Sequence, residues 1–187
     1  GGQRITTAED FTRQTDDTWY FPRVEKVSQV NDFLTFYNPN EHDALITITF
    51  RTLTAQFRLT QVVRAEARGG LDVQAIDGLA AGEFHAIVSS RALDSADQAM
   101  HEGIVAALTH FGSEQGEGWT ALGAAADTLP TSGFVPLANI GGGGTRALIF
   151  NPGSTVARLQ LIRDTATGSE MLSERFVPAM GGAALTL

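Results

Sequence analysis

One stretch of the chain combines carboxylate and imidazole side chains, which are common metal ligands in proteins. It contains Asp94, Asp97, His101 and Glu102. Their spacing matches neither the calcium-binding loop of an EF-hand nor the zinc-binding HExxH pattern. A solvated turn, in which Asp94 bonds to the backbone, accounts for the same residues more simply. We therefore predict no metal site and no cofactor.

Other polar groups that could support catalysis also lack partners at a useful spacing. The acidic pairs Asp16–Asp17 and Glu41–Asp43 fall in segments that we expect to be turns or flexible, whereas acid–base catalysis needs groups held within reach of a substrate. No serine has G-x-S-x-G neighbours. Residues 141–144 are glycines, but no Lys-Ser or Lys-Thr follows them, which favours a hairpin tip over a phosphate-binding loop. We predict that the protein is not an enzyme.

Aromatic side chains would suit a different role, stacking on a sugar ring, if they were exposed. Strand aromatics usually belong to the core of a β-protein, so exposure would be an exception. Trp19 and Tyr37 are the best candidates for that exception. Together with Arg91 and Asp94 they form the predicted ligand-binding residues, and a glycan is the ligand that such a group would suit.

The composition describes a folded, acidic protein of 187 residues. With 43% hydrophobic and 18% charged residues it can bury a core, and its 20 glycines and 11 phenylalanines suit strands and turns. The net charge of −8, without a basic run, argues against binding nucleic acid or an anionic membrane surface. The absence of cysteine excludes disulfides and cysteine-based sites. No apolar run reaches the roughly 18 residues that span a bilayer, so we predict no membrane insertion.

The elements that would position these residues occur twice in the chain. Four landmarks recur in the same order at a spacing of about 112 residues, which indicates a duplicated domain. They are Tyr20-Phe21-Pro22 with Phe134-Val135-Pro136, Asn38-Pro39 with Asn151-Pro152, Ile46–Phe50 with Ala157–Leu161, and Arg68–Val73 with Met180–Leu185. This alignment makes the second Asn-Pro turn two residues shorter than the first. Both following strands still alternate apolar and polar residues, which favours structural equivalence.

Short strands separated by turn residues predict an all-β protein with two tandem antiparallel β-sandwich domains, the second incomplete. The predicted boundaries are an N-terminal arm at 1–17, a first sandwich at 18–112, a linker and lead-in strand at 113–132, and a second, partial sandwich at 133–187. The segment 94–111 is ambiguous. A helix over 96–108 is one interpretation, but Gly103 and the run Ile104-Val105 favour a turn at 94–102 followed by a strand at 103–111.

Four stretches of the first copy resemble the sensory-rhodopsin-transducer-like family of small bacterial β-sandwiches. They are Trp19–Pro22, the turn at Asn38-Pro39, the strand 45–50 and the closing segment Val88–Ser95, whose end is similar to the family's Arg-Leu-Asp-Ser segment. The tandem pattern also resembles repeat domains of secreted and surface-anchored bacterial proteins. The resemblance implies a β-sandwich, sugar binding by analogy with carbohydrate-binding modules, and, from the family name, a soluble transducer of a membrane receptor.

We predict a non-catalytic structural or adhesive module of a secreted or cell-surface bacterial assembly. A carbohydrate- or small-ligand-binding module and a soluble signalling transducer are the alternatives, as is a cytoplasmic location. The second copy lacks counterparts of the first-copy strands between Ile76 and Phe111, which leaves strand edges open to another chain. We therefore predict self-association through strand edges, with the arm or a neighbour's strand added to the second copy, propagating into a filament unless the contact closes into a ring.

Overall fold

The computed structural model describes residues 14–93, 101–112, 118–132 and 146–186. The chain divides into two compact units, residues 1–132 (unit 1) and residues 133–187 (unit 2). The regular elements of the described residues are thirteen β-strands and one turn of 3-10 helix at Ala126–Thr128. No helix in these ranges is long and apolar enough to cross a membrane. The predicted all-β fold is confirmed.

Unit 1 is a sandwich of two antiparallel sheets. Its strands are β1 (Thr18–Lys26), β2 (Asn31–Asn38), β3 (Ala44–Arg51), β4 (Gln56–Val63), β5 (Ala67–Asp72), β6 (Gly82–Ala92), β7 (Val105–Phe111), β8 (Gly118–Leu122) and β9 (Ala124–Ala125). One sheet has the order β4-β3-β6-β1-β9, and the other has the order β5-β2-β7-β8. Each sheet therefore pairs strands that are distant in sequence, such as β3 with β6, so it can form only when most of unit 1 has folded.

The core of unit 1 lies between the two sheets because alternate residues of each strand are apolar and point inward. In β3, Ile46, Ile48 and Phe50 are fully buried, while the residues between them are partly exposed. Val88 of β6 and Leu34 of β2 belong to the same buried cluster, so the two sheets share one core. Burying an aliphatic or aromatic side chain of this size stabilises the fold by about 1.5–3 kcal/mol.

The described residues of unit 2 form four strands. They are β10 (Arg146–Asn151), β11 (Ala157–Thr165), β12 (Gly168–Val177) and β13 (Gly181–Thr186). β10 pairs with β13, and β11 pairs with β12. Unit 1 contains the same pairs in the same chain order, β2 with β5 and β3 with β4. The strands β10–β13 therefore correspond to β2–β5, and we call this shared arrangement the four-strand motif.

Asn38 and Asn151 hold the two copies of the four-strand motif together in the same way. Each side-chain amide donates to three backbone carbonyls, one in the following turn and two at the end of the next hairpin. In unit 1 the acceptors are His42 at 2.8 Å, Val63 at 3.2 Å and Arg64 at 3.1 Å. In unit 2 they are Thr155 at 2.8 Å, Val177 at 3.1 Å and Pro178 at 3.1 Å. These matching bonds support the predicted equivalence of the two Asn-Pro turns.

The structure corrects the predicted alignment of the two copies by two residues. Ala44 pairs with Val63 at the start of β3, and Ala157 pairs with Val177 at the start of β11. Ala44, rather than Ile46, is therefore the counterpart of Ala157, and the two turns have the same length. The glycine pairs shift likewise, because Ala67 lies opposite Asn38 as Gly181 lies opposite Asn151. A shift of two residues keeps every side chain on its face, so alternation alone could not reveal the error.

Two segments predicted to lie outside the first sandwich contribute to it. Residues 118–125, expected in a linker and a lead-in strand before the second sandwich, form β8 and β9, which extend the two sheets of unit 1. Asp16, expected in a free arm, forms a β-bridge with Ile104. The predicted strand at 103–111 is confirmed by β7. Several predicted segments lie wholly or partly outside the described residues. They are the arm (1–13), the turn (94–100), the linker (113–117), the repeat of Tyr20-Phe21-Pro22 (134–136) and the glycine run (141–144).

Candidate functional site

The predicted ligand-binding residues begin with Trp19, which the structure places in the core. Its side chain is 3% exposed, and its indole N–H donates to the backbone carbonyls of Asp16 at 3.1 Å and Ile104 at 3.0 Å. The prediction that this ring is open to a sugar is therefore wrong. Burial removes a large apolar ring from water while the two carbonyls satisfy its N–H group. Asp94 lies outside the described residues.

Tyr37 and Arg91 lie on opposite faces of unit 1. Tyr37 is 42% exposed on the outer face of β2. Arg91 is half-buried on the outer face of β6, where its Nη1 donates to the carbonyl of Ala92 at 3.2 Å. The inner faces of β2 and β6 pack into one core, so their outer faces point away from each other. The structure does not bring these two residues into one site.

A cavity of about 520 Å³ lies beside the acidic pair Asp16–Asp17, and its lining includes His101 and Asp127. Asp16 is buried, and its carboxylate accepts the backbone N–H groups of Thr18 at 2.8 Å and Asp127 at 3.2 Å. The expectation that Asp16 lies in a flexible segment is wrong, because the β-bridge and these hydrogen bonds fix it against the sandwich.

Two contacts determine the electrostatics of this cavity. A hydrogen bond between the carboxyl groups of Asp127 and Asp16 raises the pKa of Asp127, and partial desolvation raises it further. The exposed imidazole of His101 lies 2.6 Å from the carboxylate of Asp17. One side of the cavity thus brings two carboxyl groups together, and the other pairs a carboxylate with an imidazole.

The requirements of a metal site apply to the residues that line this cavity and to the described residues of the segment Asp94–Glu102. Among the residues that the structure describes, no group of three histidine, aspartate or glutamate side chains is arranged to hold an ion. His101 is paired with Asp17, while Glu102 is buried and its carbonyl accepts the hydroxyl of Ser90. Asp94 and Asp97, the other two members of the predicted cluster, lie outside the described residues.

A second polar group, which the sequence reasoning missed, is buried where β1, β2 and β7 meet. His110 Nδ1 lies 2.6 Å from Oδ1 of Asp32 and 3.9 Å from Oε2 of Glu25. The other carboxylate oxygen of Asp32 accepts the backbone N–H of Glu25 at 2.6 Å. Trp119 of β8 stacks on the imidazole, with ring centroids 5.1 Å apart and an interplanar angle of 13°. We call these four residues the His110 cluster.

Burial affects the two carboxyl groups of the His110 cluster. It raises the pKa of Asp32, although the N–H of Glu25 and the imidazole of His110 partly oppose the shift. It also raises the pKa of Glu25, against the opposing charge and hydrogen bond of Arg23. A signal for this cluster was present in the sequence, because Asp32 and His110 occupy inward positions on strands whose other inward residues are mostly apolar.

In unit 2, two strand edges are unpaired within residues 146–186. Among the described residues, β10 pairs with β13 alone, and β11 pairs with β12 alone. Each equivalent strand of unit 1 has two neighbours: β2 lies between β5 and β7, and β3 lies between β4 and β6. The N–H and C=O groups along an unpaired edge form a template for a further strand.

The inner face of β11 is less buried than that of β3. Ile46 and Ile48 are fully buried, whereas their counterparts Leu159 and Leu161 are partly exposed. Large apolar side chains on and beside the β11–β12 hairpin are also exposed: Val156 at 62%, Ile162 at 52% and Phe176 at 68%. Exposed apolar side chains gathered on one hairpin are typical of an interaction surface.

Comparison with known proteins informs the fold only. No family model and no curated protein matches the sequence. The chain is similar to a solved structure described as the crystal structure of Thermotoga maritima 1070, with a TM-score of 0.50 and 14% sequence identity. The match covers 59% of this chain and 95% of that chain. The resemblance to sensory-rhodopsin-transducer-like sandwiches stays a prediction.

Proposed function

We propose that the protein is a non-catalytic structural module that associates with further copies of itself through the strand edges of unit 2. The observation that carries this proposal is the difference between the two copies of the four-strand motif. β2 and β3 have neighbours on both sides, whereas β10 and β11 have one neighbour each in the described residues. Strand addition at such edges supplies main-chain hydrogen bonds along a whole strand.

The partly exposed inner face of β11 supports the same proposal. Leu159 and Leu161 occupy positions that are fully buried in unit 1, where β6 lies beside β3. A strand added to β11 would widen the sheet, and its inward side chains would pack beside Leu159 and Leu161 and reduce their contact with water. The apolar area gained would add to the hydrogen bonds at the edge.

The polar groups of unit 1 suit a structural role better than a catalytic one. Asp32 bonds to His110 and to the backbone of Glu25 inside the fold. In the cavity, the carboxylate of Asp16 is engaged by backbone N–H groups and that of Asp17 by His101. A catalytic site instead needs an acid, a base and a nucleophile that converge on a substrate. A place in a secreted or cell-surface assembly stays a prediction from the sequence.

A glycan-binding role receives less support from the geometry. Trp19 is buried, and Tyr37 and Arg91 lie on opposite faces of the sandwich. A sugar stacked on Tyr37 would lack Arg91 as a polar partner.

Sedimentation velocity between about 1 µM and about 200 µM protein tests the proposal, because association follows mass action. We expect a mass above the 19.9 kDa of one chain, rising with concentration. A mass that stays at one chain over this range would overturn the proposal.

A matched variant separates association through the edges from association through the exposed sheet face. Phe176→Ser removes the exposed aromatic ring of β12 without changing the edge of β11 that has no partner strand among the described residues. Edge association predicts the same mass distribution for this variant and the parent chain. Loss of association in the variant would show that the sheet face, and not the edge, carries the contact.

A further inference from the structure

We propose that Met171 is a site of reversible oxidation by peroxide, at which the thioether becomes a sulfoxide beside the side-chain amide of Gln160. Met171 lies in β12 and is 57% exposed. Its Sδ accepts a hydrogen bond from Nε2 of Gln160 in β11 at 3.7 Å. The site lies on a face of the β11–β12 hairpin, so it is separate from the strand edges through which we propose that unit 2 associates.

A β-bulge in β12 brings Met171 to Gln160. The two strands pair in a regular register up to Leu161, but Ile162 then lies opposite Met171. Leu172 is therefore an extra residue in β12. Opposed residues of an antiparallel pair point to the same face, so Met171 shares a face with Ile162 and, two positions along β11, with Gln160. Without the bulge, Leu172 would lie opposite Ile162 and Met171 would point to the other face.

The equivalent hairpin of unit 1 lacks both features. β3 and β4 keep one register along their whole length, and neither strand contains methionine. Thr49, the counterpart of Ile162, lies opposite Arg58. The bulge and the exposed thioether therefore distinguish the β11–β12 hairpin from its counterpart.

The oxidation itself needs only the exposed sulfur and a peroxide. A lone pair of Sδ attacks one oxygen atom of hydrogen peroxide, so that an S–O bond forms as the O–O bond breaks. The sulfur is oxidised by two electrons and the peroxide is reduced. The proton of the transferred oxygen passes to the departing hydroxide, which leaves as water. The thioether is polarisable, and sulfoxide reductases return the product to methionine.

Gln160 offers the product a hydrogen-bond donor. A thioether is a weak acceptor, whereas oxidation makes the side chain polar. The amide nitrogen of Gln160 carries two N–H groups and also donates to Oε1 of Glu174 at 3.2 Å. One N–H group can thus bind the sulfoxide oxygen while the other stays with Glu174.

Oxidation at this site should leave the strand pairing intact. Ile162, which lies opposite Met171, is itself 52% exposed, so little buried apolar contact is lost. The change would make one part of an exposed apolar face polar. A methionine in a packed core would instead disrupt its surroundings when oxidised.

Peptide mapping by mass spectrometry after treatment with dilute hydrogen peroxide tests the site. We expect Met171 to gain one oxygen atom about five times faster than the half-buried Met180. In urea the two rates should converge, because unfolding removes the difference in exposure. Equal rates in the folded protein would overturn the proposal. Treatment with sulfoxide reductases of both stereospecificities should restore the parent mass, and a persistent sulfoxide at Met171 would contradict reversibility.

Nuclear magnetic resonance of the Gln160 side-chain amide tests the hydrogen bond to the product. Oxidation should move its proton signals downfield, because the sulfoxide oxygen is a stronger acceptor than the thioether. Gln160→Leu identifies these signals by their loss, and peroxide should not move them in Met171→Leu. The amide of Gln74, which donates to backbone carbonyls in unit 1, is the matched control and should keep its signals. Unmoved Gln160 signals in the oxidised protein would overturn the role given to this residue.

Discussion

Replacing Asn38 with alanine should destabilise unit 1 by about 3 to 5 kcal/mol, because this one side chain joins the end of β2 to two other segments. Its amide group donates to the carbonyls of His42, Val63 and Arg64. Its Oδ1 accepts the backbone N–H of Asn40 at 3.1 Å and the side-chain amide of Asn40 at 2.9 Å. Asn38 is fully buried, so water cannot replace the lost partners without opening the turn.

The magnitude follows from counting these bonds. An intramolecular hydrogen bond contributes about 1 kcal/mol net, and a buried group left without a partner costs more. The variant loses three donated and two accepted hydrogen bonds, and the three donated bonds share the two N–H groups of the amide. This count gives a loss of about 3 to 5 kcal/mol. Since the free energy of unfolding falls by about 1 to 3 kcal/mol per molar urea for a domain of this size, the urea midpoint should fall by about 2 M.

Tryptophan fluorescence is a specific assay for this effect. The chain has two tryptophans, Trp19 and Trp119, and both belong to unit 1. Asn151→Ala is the matched control, because it removes the equivalent bonds in unit 2 and should leave the fluorescence midpoint unchanged. A midpoint shift below about 0.5 M in Asn38→Ala would refute the view that this side chain holds the four-strand motif together.

Three further changes test packing and electrostatics in unit 1. Gly69→Ala should destabilise unit 1 by about 1 to 3 kcal/mol, because the new Cβ would meet Val63 Cγ2 at 2.6 Å. Gly70→Ala should be nearly neutral, because its Cβ would meet Leu34 O at 3.5 Å, and equal urea midpoints for the two variants would contradict this packing. Burial raises the pKa of Asp32 and Glu25, so folding favours their protonated forms, and stability should fall as the pH rises from the ordinary carboxyl pKa through the raised values. Asp32→Asn should reduce the dependence of the free energy of unfolding on pH, as measured by urea titrations, whereas replacement of the exposed Glu41 with glutamine should not. An identical dependence on pH for Asp32→Asn and the parent chain would contradict the raised pKa of Asp32. Trp119→Ala should lower the free energy of unfolding by about 0.5 to 1.5 kcal/mol, measured by circular dichroism, because the imidazole of His110 loses its stacked ring. Trp119→Phe should retain most of that stability, and an unchanged unfolding midpoint in Trp119→Ala would show that the stack contributes nothing.

The all-β fold and the repeat could be predicted from the sequence because both depend on local patterns. Alternation in β3 and β11 identified the strands and their inward faces. The same pattern misaligned the copies by two residues, since a period of two cannot distinguish such shifts. The bonds from Asn38 and Asn151 to distant carbonyls fix the alignment, and those bonds involve residues far along the chain.

The candidate sites were harder to predict because they join distant segments. Asp16 meets Asp127, and Asp32 meets His110, only after the sheets have formed. Trp19 was misjudged for a related reason, since its aromatic type fits both a binding surface and a core. Its buried indole N–H donates to the carbonyl of Ile104, and no local sequence pattern indicates a partner so distant in the chain.

Amide hydrogen exchange at two protein concentrations tests most directly whether unit 2 associates through its strand edges. If copies pair along β10 and β11, amide groups on those edges should exchange more slowly at about 200 µM than at about 1 µM. Amides of β3, which already has neighbours on both sides, should exchange at the same rate at both concentrations. Exchange in β10 and β11 that does not depend on concentration would contradict the account.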